Sequence, residues 1–189
     1  MTRPLAALAL VVLLATATPA AADDDDALEP FYGAYVGSGV ATRAGSDELE
    51  QRDLDVTIEP IKRDGFRIRW ITVVRSADGD RTDPSVKRRA VEEEFLPSDT
   101  IENVYVLAPE GGLFSKAELP NPLLGEPMRW AALDGDVLSI YSLAISGEGG
   151  AELQIFHRTL TEEGMDVDFR RMRDEDTLLR VTGRLIRVE

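Results

Sequence analysis

The chain has no cysteine and only one histidine among its 189 residues. The first absence removes disulfides, thiolate metal sites and lipid attachment through an N-terminal cysteine. The second removes the His-Glu-x-x-His and His-x-Glu metal patterns. A serine triad would have His157 alone to draw on, and no Gly-x-Ser-x-Gly elbow exists. Gly37-Ser38-Gly39 lacks the third glycine and the lysine of a phosphate loop. Asp78-Gly79-Asp80-Arg81-Thr82-Asp83 starts like a calcium loop, but Asp83 stands where the loop needs glycine, and no glutamate closes it. A hairpin turn accounts for it better. These patterns imply no metal and no cofactor, and none of them assigns a catalytic residue. Basic residues are also scarce, 21 against 35 acidic, for a formal net charge of −14. That balance argues against nucleic acid, which needs a basic surface, and against an anionic membrane face.

Long apolar runs are missing too, except at the start. Arg3 is followed by an unbroken run of Leu, Ala and Val from Leu5 to Ala15. Thr16, Thr18 and Pro19 then weaken a helix, and Ala20-Ala21-Ala22 offers small residues for cleavage. This is the three-part layout of a secretory signal peptide spanning residues 1–22, and the run falls short of the roughly 20 residues of a membrane span. The expected destination is a bacterial periplasm, with no transmembrane segment in the mature chain. Asp23 to Asp26 read as the start of a flexible acidic linker, residues 23–30, rather than a cation site. Residues 31–189 remain as one domain, long enough to bury a core.

No helical period of useful length follows Asp26. Short alternating runs recur instead, separated by turn pairs such as Asp64-Gly65, Asp78-Gly79 and Asp134-Gly135. Leu54, Val56 and Ile58 alternate with acidic residues, and Phe66, Ile68 and Trp70 with Arg67 and Arg69. The pattern predicts an all-β fold, an antiparallel up-and-down β-barrel of about 8–10 strands. Asp83-Pro84 can open a helix over 86–96, but basic residues come first and acidic ones last, against the helix dipole, so a strand is expected there. Residues 108–127 carry four prolines and three glycines and read as a long loop, of the sort that often forms a lid.

Turn signals also set a register for the C-terminal half. A tight loop at Glu162-Glu163-Gly164 pairs Val167 with Thr159 and Phe169 with His157. Loops at 147–150 and 134–135 pair Tyr141 with His157, and Met128 with Tyr141. A turn at 174–176 pairs Phe169 with Val181 and Arg171 with Leu179. The expected result is one inward row of Met128, Tyr141, His157, Phe169 and Val181, with Arg171 diagonal to His157 at roughly 7–8 Å. Leu133, Leu138 and Ile140 then form an outward apolar patch. An outer-membrane barrel is excluded because the outward positions carry Asp53, Asp55, Arg67, Arg69, Asp166, Asp168 and Arg170 instead of an apolar band. His157 is open to two readings, general base or hydrogen-bonded core residue. Arg171 needs a carboxylate, a ligand or water.

Phe31-Tyr32-Gly33-Ala34-Tyr35-Val36-Gly37 resembles the first strand of lipocalin-like (calycin) barrels, whose Gly-x-Trp closes one barrel end. Tyr35 stands where that family has tryptophan. A basic residue of the last strand packs on the ring in the family, and Arg184 or Arg187 would take that part. The resemblance implies a barrel mouth holding a small apolar or amphipathic molecule. Phe66, Trp70, Trp130, Tyr141, His157, Phe169 and Arg171 are the lining candidates. Two other readings stand beside it: an envelope interaction module with a filled core, and a barrel-scaffold enzyme using His157 and Tyr141 in acid/base roles.

Overall fold

The structure is a computed structural model, and it describes residues 27–75, 87–109 and 120–188. The expected signal peptide, the four aspartates, the Asp78-Gly79 turn, Asp83-Pro84 and the middle of the 108–127 loop lie outside the described residues.

Ten strands follow one another in chain order: β1 (Gly33–Arg43), β2 (Glu50–Ile61), β3 (Gly65–Val74), β4 (Lys87–Pro97), β5 (Val104–Leu107), β6 (Met128–Asp134), β7 (Val137–Ile145), β8 (Ala151–Leu160), β9 (Gly164–Arg173) and β10 (Asp176–Val188). Each pairs antiparallel with its neighbours, and β1 pairs with β10 to close the barrel. The up-and-down meander expected from the alternating runs is therefore present. From Lys87 onward the ambiguous stretch forms strand β4. Its Val91, Glu93 and Phe95 pair with Trp70, Ile68 and Phe66 of β3, a period of two that a helix would scatter. Among the described residues, no helix is long and apolar enough to cross a membrane.

One end of the barrel is packed solid. Tyr35, Ile58, Phe66, Ile68, Phe95, Leu138, Met165 and Leu185 are fully buried there. Phe66 stacks on Phe95 with centroids 5.2 Å apart and meets Tyr105 edge-on at 5.4 Å. A short 3-10 turn, Glu29–Phe31, caps this end, and Leu28 and Phe31 drop fully into the core. Residues 27–30 are thus part of the barrel's plug, where the sequence suggested linker. Apolar burial decides this, because one leucine side chain contributes about 1.5–3 kcal/mol.

Tyr35 is the pivot of the plug. Its hydroxyl donates to the Phe31 carbonyl at 2.9 Å and accepts from Arg187 Nη2 at 2.6 Å. The Arg187 guanidinium lies 5.2 Å from the Tyr35 ring centroid and also donates to the Pro30 carbonyl. Of the two arginines considered from the sequence, Arg187 takes the place on the ring. Arg184 points outward and pairs with Asp166. This closure completes a ten-strand antiparallel barrel.

Two registers differ from those expected, and the difference matters for every inward residue. Phe169 faces Phe156, and His157 faces Asp168. Thr161 and Gly164 bond to each other's backbone, which shifts the β8–β9 pairing by one residue from the expected register. Tyr141 faces Ile155 and Trp130, and Met128 faces Leu143, shifts of two. A shift of two keeps a side chain on its face, whereas a shift of one reverses it. The predicted row is therefore split. Phe169 and Val181 pair inward as expected, but Met128, Trp130, Tyr141 and His157 lie on the outer surface. By the same parity Leu133, Leu138 and Ile140 are core residues, not an outward patch.

Barrel closure depends on glycine. A Cβ on Gly37 would lie 2.1 Å from the Arg184 carbonyl oxygen, and one on Gly183 would lie 2.5 Å from that of Ser38. No side chain fits against backbone at those distances, so only glycine lets β1 and β10 approach. Gly37→Ala is expected to lower the urea midpoint sharply, a loss of about 3 kcal/mol. Gly147→Ala, at an open turn with nothing within 4 Å, should leave the midpoint nearly unchanged. Equal midpoints for the two variants would show that the seam tolerates a side chain.

Candidate functional site

The other end of the barrel encloses a cavity of about 350 Å³, at the small end of the range for ligand pockets. Its apolar wall comes from alternate residues of five strands: Leu54 and Val56, Trp70, Phe156, Val167 and Phe169, and Val181. Three rings meet across it. Trp70 and Phe156 have centroids 5.3 Å apart, and Phe156 and Phe169 are 4.5 Å apart. Trp70 stands on β3 and Phe156 on β8, so the aromatic contact bridges the barrel and forms the boundary between solid plug and cavity.

The cavity is charged with the sign opposite to the whole chain. Arg52, Lys87, Arg89, Arg129 and Arg158 all line it from inward positions. Glu50 accepts from Arg52 Nε at 2.7 Å. Glu93 forms a buried ion pair with Arg129. Burial, and then the nearby Arg89 cation, push the Arg129 guanidinium below its ordinary value. Lys87 and Arg89 are solvent-exposed, on the stretch of β4 where the barrel opens.

Arg158 is the exception to this pairing. It is 3% exposed, and its Nε and Nη1 have no hydrogen-bond partner among the described residues. Its guanidinium carbon lies 5.5 Å from the Trp70 ring centroid and 5.6 Å from that of Phe156. Burial lowers its pKa to about 10, which leaves it a cation at neutral pH. Ring faces attract a cation by about 1–2 kcal/mol each. Burying an ion costs several kcal/mol even after relaxation, so the rings offset only part of that cost. They also accept nothing from its in-plane N–H groups.

The candidates named from sequence fall into four places. Trp70 and Phe169 line the cavity. Phe66 faces inward but belongs to the solid plug. Arg171 faces inward at the rim, where its side chain is 41% exposed and bidentate with Glu152 at 2.9 and 2.8 Å. Its partner is therefore an internal carboxylate of the chain. The hydrogen bond from Arg171 holds the Glu152 carboxyl below the usual carboxylate range.

Trp130, Tyr141 and His157 form an outer cluster. Trp130 stacks on Tyr141 at 5.1 Å, and Tyr141 meets His157 edge-on at 6.3 Å. Ser139 Oγ and His157 Nδ1 share a hydrogen bond of 2.7 Å. Asp168 stands opposite His157 across the β8–β9 pair, but it is engaged by Arg170 and Arg180. Burial alone would raise the Asp168 carboxyl, but hydrogen bonds and charges from the two arginines outweigh it and bring it to about 2. No carboxylate lies within ion-pair distance of His157 among the described residues. Nor do three metal-ligating side chains converge among them.

Arg158 and Phe156 were not singled out from the sequence, although the alternation Phe156, Arg158, Leu160 carried the signal. The loop expected at Glu162-Glu163-Gly164 pairs Phe169 with His157 and so puts the wrong face of β8 inward.

No protein-family model matches the chain, and no curated protein matches it. Among solved structures it is similar to an S-type phycobiliprotein lyase of Guillardia theta, at 9% identity and a TM-score of 0.41, over 87% of this chain and 92% of that one. It is also similar to a 12:0-ACP thioesterase of Umbellularia californica, at 7% identity and a TM-score of 0.18, over 87% and 79%.

The Glu93–Arg129 pair tests the charge arrangement directly. Glu93→Gln leaves a buried arginine without its partner and is expected to destabilise the fold by about 3 kcal/mol in urea unfolding. A loss under about 0.5 kcal/mol would mean that solvent already screens the pair.

Proposed function

We propose that this chain is an exported binding protein that holds a small apolar or amphipathic molecule inside its barrel. The observation that carries this reading is the cavity itself, with Trp70, Phe156 and Phe169 as its aromatic wall. A barrel acting only as a rigid interaction module gains stability from a filled interior, since voids forfeit packing contacts. Here one half is packed with large buried side chains and the other is hollow, and the hollow half carries both apolar walls and polar groups. Such a mixture suits a ligand with an apolar body and a polar end. The plug at Tyr35 makes the opposite end the route of entry, between the β1–β2 turn and the start of β4. Export rests on the N-terminal layout of charge, apolar run and small residues, and it places the barrel in the periplasm.

Purified protein, denatured and extracted, is expected to release a recurring hydrophobic compound at near-stoichiometric yield by mass spectrometry. The same compound should quench tryptophan fluorescence when added back, and Trp70→Ala should weaken it roughly tenfold or more, while Trp130→Ala should not. Equal effects of the two substitutions would place the ligand elsewhere. Export has its own readout: the mature protein should begin at Asp23 by intact mass and be recovered with the periplasmic fraction. A full-length cytoplasmic chain would remove that part of the reading.

A further inference from the structure

We infer that the ligand is an oxyanion with an apolar body, a carboxylate or a phosphate ester, whose head group pairs with Arg158 inside the barrel. The inference rests on the ligand-binding reading above and narrows its chemistry. Arg158 is almost wholly buried, and two of its nitrogens are without acceptors. Trp70 and Phe156 attract its charge but leave its N–H groups unsatisfied. No carboxylate stands within ion-pair distance of it among the described residues, although the chain as a whole has 35 acidic side chains. The inward carboxylates of Glu50 and Glu93 engage Arg52 and Arg129, and Asp168, whose side chain faces outward, engages Arg170 and Arg180.

The charge around it excludes the alternatives. A cationic ligand would meet five inward basic residues. A neutral apolar ligand would remove water from Arg158 and supply nothing in return, which is the costly state for a buried charge. An oxyanion supplies the acceptors, and a charge-assisted pair with arginine is about twice as strong as a neutral hydrogen bond. Exposed Lys87 and Arg89 at the opening would draw such an anion in past the acidic outer surface. Arg158 borders the plug, so the head group enters first and the apolar body lies along Phe169, Val167 and Val181.

The test uses three probes of equal chain length: decanoate, decyl phosphate and decanol. Each is titrated into the full mature protein and its Arg158→Met variant by calorimetry, with tryptophan fluorescence in parallel. At least one anion should bind the native protein roughly 10- to 100-fold more tightly than decanol, the equivalent of one charge-assisted pair at about 1.4 kcal/mol per factor of ten. Which anion binds more tightly separates carboxylate from phosphate. The variant should lose this preference while keeping its affinity for decanol. It should also unfold at a higher temperature than the native protein when neither has ligand, because a buried unpaired charge is gone. If the native protein binds anions and decanol alike, or the variant keeps the preference, the oxyanion is excluded and barrel binding stands. If none of the three probes binds, barrel binding itself fails and the oxyanion with it. Should Arg158→Met not fold, Arg158→Lys keeps the charge but alters its geometry. That variant is expected to weaken the anions several-fold and spare decanol, and unchanged anion affinity would overturn the inference.

Discussion

Closing a ten-strand sheet on itself requires β1 and β10 to meet along their whole length, with no free edge left on either side. Two features of the chain make that contact. Gly37, Gly39 and Gly183 let the backbones approach where a Cβ would collide with a carbonyl. Arg187 of β10 then locks onto Tyr35 of β1 through ring face and hydroxyl together, while the same hydroxyl holds the 3-10 turn in place. Once the ring is closed, each strand residue faces either the interior or the outer surface. That commitment determines which of the chain's charges are buried and which are solvated.

The interior divides along its axis because of side-chain size. Toward the plug, Phe66, Phe95, Tyr105 and Leu138 converge from facing strands and fill the cross-section. Toward the opening, smaller residues such as Val56, Val167 and Val181 line the wall, and long basic side chains replace apolar ones. Some of the basic residues are compensated within the fold, and Lys87 and Arg89 are exposed to solvent. Arg52 and Arg129 have carboxylates, and at the rim Arg171 has Glu152. Arg158 has two aromatic rings and no acceptor for two of its nitrogens. It therefore sets the chemistry of the cavity in a way that the surrounding apolar wall does not.

Much of the barrel was legible because its evidence is local. Alternation in 54–58, 66–70, 165–169 and 179–185 placed those side chains inward, and the structure agrees at each. Turn pairs at Asp64-Gly65 and Asp134-Gly135 marked hairpins that are present. The β7–β8 region was harder. Val137, Tyr141, Leu143 and Ile145 are apolar, but so are Leu138 and Ile140 of the opposite parity, so alternation there does not name a face. Pairing had to come from the turns. At Glu162-Glu163-Gly164 the turn closes between Thr161 and Gly164, one residue from the position the loop composition suggested. That one step turned the side chains of His157, Tyr141 and Trp130 to the outer surface and those of Phe156 and Arg158 inward.

By itself the sequence determined the class of fold, the expected address and the aromatic–glycine closure, since composition, period and turn residues act over a few neighbours at a time. It also determined that no thiol chemistry occurs and that a single histidine is available. Which basic residue is buried was decided only in three dimensions. Arg158 and Arg171 look alike along the chain, each among alternating residues of a strand. Folding places one beside Glu152 at the exposed rim and the other beside Trp70 and Phe156 in the buried interior. Those partners come from strands β3 and β8, and neither the hollow nor its unpaired cation exists until the ring is closed.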